Sequence, residues 1–127
     1  MSNQMCFLTL EEVLKLHARS LRDHGGSDGI REPGLVSSAL ASAENVHHYG
    51  QADLFAVAAA YAFHLAESQA FVDGNKRTGT AAALVFLETN GVELPARADD
   101  DVYRALIAIA EKNLTKAGLA DIFRSWS

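Results

Sequence analysis

Leu10, Val13, Leu14, His17 and Leu21 follow the i, i+3, i+4, i+7 spacing that gathers side chains on one face of an α-helix. Thr9-Leu10-Glu11-Glu12 fits a capping box at its start, and Gly25-Gly26 stops it. The segment from Gly25 to Pro33 reads as loop. Pro33 suits a first helical position, and Leu35, Ala39 and Leu40 carry a second helix to His47-His48-Tyr49-Gly50. Asp53 predicts the N-cap of a third, alanine-rich helix over about Leu54–Ser68. After a break at Gln69–Gly74, a fourth helix starts at Asn75, is apolar over Ala81–Leu87 and stops at Asn90-Gly91. Pro95 lies in a linker. Asp99 or Asp100 is expected to cap a fifth helix reaching about Lys112, and Thr115 a sixth ending near Trp126. No segment alternates long enough to predict a sheet. The expected fold is an all-α bundle of about six helices, with the third and fourth inside, forming one domain over residues 1–127.

Composition narrows the function. With 127 residues, 49% of them hydrophobic, the chain suits a single globular domain with its own core. A net charge of -5, from 16 acidic and 11 basic residues, argues against general nucleic-acid binding. Cys6, the single cysteine, excludes an intrachain disulfide and has no neighbouring cation to activate it. Met1–Phe7 lacks the pattern of a signal peptide. Leu54–Phe63 and Ala81–Leu87 are too short to cross a membrane and read as core helices. A cytoplasmic protein without a membrane span is expected.

Candidate chemistry concentrates in the break between the third and fourth helices. A helix opening at Asn75 leaves its first backbone N–H groups unpaired, with the positive end of the helix dipole behind them. That arrangement suits an anion. Gly74 permits a sharp bend, Lys76 adds a point charge, and Arg77 offers a planar fork of donors matched to phosphate oxygens. Asp73 beside them suits a bridging cation such as Mg²⁺. Against this stands a plain alternative: Asp-Gly-Asn is ordinary turn chemistry, and Lys-Arg an ordinary solvated face.

The stretch Gln69-Ala70-Phe71-Val72-Asp73-Gly74-Asn75-Lys76-Arg77-Thr78 resembles the signature of the Fic/Doc family, His-x-Phe-x-(Asp/Glu)-(Gly/Ala)-Asn-(Gly/Lys)-Arg. The Lys-Arg-Thr ending resembles the Doc (death on curing) branch. So do Leu16-His17, Gly29-Ile30-Arg31, Gly34-Leu35, Ser38-Ala39-Leu40 and Phe86-Leu87 with Asn90-Gly91. The resemblance implies a compact helical Fic fold and the toxin of a toxin–antitoxin pair. Such a toxin transfers phosphate, or AMP, from ATP to a hydroxyl of a translation-related protein such as an elongation factor. It implies Asp73 as the Mg²⁺ ligand, Asn75, Lys76, Arg77 and Thr78 around the phosphates with Gly74 completing the nest, and Phe71 as the buried anchor of the loop. It also implies a separate small antitoxin that docks a segment in a groove of the toxin.

Position 69 departs from the pattern, with Gln69 where the family has its catalytic histidine. An amide can orient a hydroxyl but cannot take its proton at neutral pH. His64 and His17 read as interior histidines, His47 and His48 as helix-end residues facing the dipole, and His24 lies at the end of the first helix. Three functions stay open: an active nucleotide-dependent transferase, a Fic-fold protein that binds nucleotide or partner without turnover, and an interaction protein whose basic turn grips a partner's carboxylate.

Overall fold

A computed structural model describes residues 5–127; residues 1–4, part of the N-terminus read above as lacking a signal peptide, lie outside the described residues. Six helices follow one another: α1 (Leu10–His24), α2 (Pro33–Gly50), α3 (Leu54–Ser68), α4 (Asn75–Thr89), α5 (Ala98–Ala110) and α6 (Lys116–Arg124). No strand of a sheet forms among the described residues, and the one β-like feature is an isolated antiparallel bridge between Ile30 and Phe71. The all-α expectation holds.

Local capping chemistry places most of the boundaries. At α1 the Thr9 hydroxyl accepts from the Glu12 N–H at 3.2 Å and the Glu12 carboxylate accepts from the Thr9 N–H at 2.8 Å, a reciprocal capping box. Asp53 accepts from the Ala56 N–H at 2.8 Å to open α3, and Thr115 from the Gly118 N–H at 3.0 Å to open α6. The fifth helix corrects the expectation. Arg97 occupies the cap without a side-chain cap bond, its guanidinium donating instead to Asp100 at 3.2 Å, and Asp99, Asp100 and Asp101 sit inside the first turn, where they still face the positive dipole end. The turn at Pro95, whose carbonyl accepts from the Ala98 N–H at 3.1 Å, launches α5 early. That helix also stops at Ala110; Lys112 lies beyond it in the left-handed region, φ 64°.

The apolar stripe of α1 is also rotated from its expected line. Leu10 is 42% exposed, and the buried positions are Val13, His17 and Ser20. Helix α3 packs against α2, α4, α5 and α6, so it occupies the centre with α4 beside it. Alanines at 58, 59, 60, 62 and 66 keep its girth small, and all are buried. The large core side chains are Tyr61, Phe71, Phe86, Leu87 and Phe123, with no exposed surface. Tyr61 keeps its hydroxyl satisfied by accepting from the Leu8 N–H at 3.0 Å, and burial pushes its pKa up to about 12. No helix among the described residues is long and apolar enough to cross a membrane.

Candidate functional site

Two left-handed residues bracket the break between the central helices. Gln69 ends α3 at φ 54°, ψ 32°, and Gly74 opens α4 at φ 82°, ψ 18°. Between them the chain is tied from three sides. From α4, the Asn75 side chain clasps Phe71, accepting from its N–H at 3.1 Å and donating to its carbonyl at 3.0 Å. From the α1–α2 loop, the Gly29 carbonyl accepts from the Val72 N–H at 3.0 Å, and the Arg31 N–H donates to the Ala70 carbonyl at 2.7 Å. From α1, the His17 ring stacks on Phe71 with centroids 3.7 Å apart, and its Nε2 donates to the Asp73 carbonyl at 2.8 Å. Asp73 in turn accepts from the Ser27 N–H at 2.8 Å.

This tied turn forms one wall of a cleft of about 520 Å³. Gln69, Asp73, Gly74, Asn75, Lys76 and Arg77 all line it, so six of the residues selected from sequence converge there. Phe71 and Thr78 do not; both are fully buried beneath it. Asn75 is buried as well, with its side-chain amide committed to Phe71, which leaves its backbone N–H as the group at the helix mouth. The first turn of α4 has no acidic residue and no side-chain cap, so its opening N–H groups are without a partner in the helix.

Lys76 forms no ion pair among the described residues, whereas Arg77 is held. Its guanidinium lies over the Tyr103 ring, 3.6 Å from the centroid, and one nitrogen is 3.8 Å from the Asp99 carboxylate. Stacking leaves the edge of the guanidinium, where its N–H donors lie, free to bond oxygens. Tyr103, from α5, and His24, at the end of α1, are cleft residues that sequence reasoning did not select. His24 has a local signal in its place beside Gly25. Tyr103 has none, because only packing of α5 on α4 brings it there.

The other histidines stand apart from the cleft lining. His64 is half-buried, with burial and then the Lys116 charge holding its pKa below the ordinary 6.5. His47, near the end of α2, donates from Nδ1 to the Ala52 carbonyl at 3.0 Å, so the proton lies on that nitrogen. No group of three or more His, Cys, Asp or Glu among the described residues forms a cage for a metal. Asp73 alone offers a carboxylate at the cleft, which fits Mg²⁺ only in company with phosphate oxygens.

Residues 7–87, more than half of the chain, with all of α1 to α3 and α4 as far as Leu87, match the Fic/DOC family. The chain belongs to the Fic/DOC family. Among its relatives, the protein named Protein kinase doc of Escherichia phage P1 is 31% identical over 124 residues, covering 94% of each chain. Toxin Doc of Mycolicibacterium smegmatis is 45% identical over 103 residues, 78% of this chain and 74% of that protein. Both relatives are Doc proteins, in keeping with the Doc-branch resemblance. The family match ends before α5, so Tyr103 and Asp99, the two residues that hold Arg77, lie outside it.

Proposed function

We propose that this chain is a Doc-type toxin that transfers a phosphoryl group from ATP to a hydroxyl of a translation-related protein, with AMP transfer as the variant for a reversed nucleotide. The observation that carries this reading is the uncapped mouth of α4, opening on the cleft between Lys76 and Arg77. Unpaired amides, a helix dipole and two cations favour a multiply charged anion over a single carboxylate. The names of the two relatives, a protein kinase and a toxin, support the same reading.

In this reading the amides of Asn75 and Lys76 bind phosphate oxygens, and Arg77 uses its exposed edge on them. Asp73 is the residue that would hold Mg²⁺, and such an ion supplies charge neutralisation on the transferring phosphate when bound. Gln69 orients the acceptor hydroxyl without taking its proton. The hydroxyl proton passes to solvent as the oxygen–phosphorus bond forms and ADP leaves. A separate antitoxin supplies control, docking a helical segment in the groove between α1 and α4 that Leu16, Leu84 and Val85 line.

Gln69 favours a second reading, a Fic-fold protein that binds nucleotide or partner with little turnover. Incubation with ATP labelled at the α or the γ phosphate, Mg²⁺ and cell lysate separates the two. Label is expected on protein from the γ position, and Gln69→His is expected to raise the rate by about 10²–10⁴-fold, the usual contribution of a general base. Transfer from neither position, with an ATP affinity that Arg77→Ala abolishes, supports the binding protein instead.

A further inference from the structure

We infer that His17 is a positioning residue for this cleft: by holding the Asp73 carbonyl inward, its Nε2–H turns the Gly74 N–H out to join the anion-binding amides of α4. The inference rests on the phosphate-binding reading above and deepens it.

His17 is only 4% exposed, on the inner face of α1. Its Nε2 stands 2.8 Å from the Asp73 carbonyl oxygen. A carbonyl cannot donate, so the ring carries its proton on Nε2. The ring has little freedom to turn, since it lies 11° from parallel on Phe71 at a centroid distance of 3.7 Å. Phe71 is itself clasped by Asn75. The histidine is thus a fixed donor aimed at one backbone oxygen.

The consequence follows from the planarity of the peptide. No cis bond occurs among the described residues, so the Asp73 carbonyl and the Gly74 N–H point in opposite directions across one trans peptide. With the carbonyl drawn to His17 in the interior, the N–H faces the cleft that Gly74 lines. Gly74 is left-handed at φ 82° and Asn75 begins the helix, a succession that turns consecutive N–H groups toward one point and makes a concave anion nest. Glycine tolerates either orientation of its preceding peptide, so the residue itself does not select this one. The ring beneath it does, through the 2.8 Å bond that holds the Asp73 carbonyl.

The test compares the wild type with His17→Phe, which retains a ring over Phe71 but no donor, and His17→Gln, whose amide can donate. Each is melted thermally and titrated calorimetrically with ATP and Mg²⁺. His17→Phe is expected to stay folded and lose about tenfold in ATP affinity, and His17→Gln to recover most of it at a similar melting temperature. A folded His17→Phe that binds ATP as the wild type does overturns the inference and leaves the nucleotide reading standing. Wild-type protein that binds no ATP overturns both. Should His17→Phe fail to fold, wild-type NMR decides. A His17 proton on Nε2 and a Gly74 amide that shifts with ATP support the inference. A proton on Nδ1 alone, or a Gly74 amide that stays still while those of Lys76 and Arg77 move, overturns it.

Discussion

Thr78 shows how one residue of the motif parts from its neighbours. Asn75, Thr78, Gly79 and Ala82 share the i, i+3, i+4, i+7 stripe of α4 that faces the core, while Lys76 and Arg77 fall on the side that meets the cleft. Thr78 is therefore fully buried, and its hydroxyl has no hydrogen-bond partner among the described residues. Replacing an unpaired buried hydroxyl by a methyl of similar shape removes a desolvation cost. Thr78→Val is expected to leave stability unchanged or raised in thermal melts, with ATP affinity unaltered in calorimetry. A loss of more than about 1 kcal/mol would show that the hydroxyl is bonded after all. Sequence grouped Thr78 with the phosphate contacts because motif order is linear, whereas access to the cleft depends on helix rotation.

At the scale of elements, the approach of α4 to α3 positions the cleft. A Cβ on Gly79 would lie 2.6 Å from the Ala62 carbonyl oxygen, part of the α3 backbone. Backbone cannot give way as a side chain can, so Gly79→Ala must push the two central helices apart. A destabilisation of about 1–3 kcal/mol is expected from denaturant unfolding, as for other overpacked cores. A change below about 0.5 kcal/mol would show that α3 and α4 are not held at this distance. The ends of these helices were legible beforehand because Asp53, Gln69–Gly74 and Asn90-Gly91 act on their immediate neighbours. The start of α5 was not. Asp99 and Asp100 offer two equivalent cap candidates in a row, while the helix opens at Arg97 without a side-chain cap bond. A turn set by Pro95 chose the boundary instead.

Over the whole molecule, Asp53 links distant parts of the chain. It caps α3 and also accepts two bonds from the Arg124 guanidinium at 2.9 and 3.0 Å, which ties α6 to the central helix. The Arg124 bond foremost, aided by the Ala56 N–H and opposed by burial, holds the Asp53 pKa below its ordinary 3.8. A depressed carboxyl stabilises the fold above its unfolded value, and that stability is lost as pH falls through the folded value. Asp53→Ala is expected to lower stability at neutral pH by about 1 kcal/mol through the lost cap. The gap in Tm from the wild type should narrow as pH falls from 3.8 through the lower folded value, where the folded wild-type carboxylate takes up its proton too. A gap that stays constant into strong acid would exclude the charged form of Asp53 as its source. Caps, helix periodicity, the glycine turn and the basic pair at the mouth of α4 were determined by sequence alone, since each depends on residues within about four positions. Tertiary structure alone decided the rest. The meeting of His17 with Asp73, 56 residues away, and the seating of Arg77 on Tyr103 depend on which helix faces turn together, and burial of the shared core sets those faces.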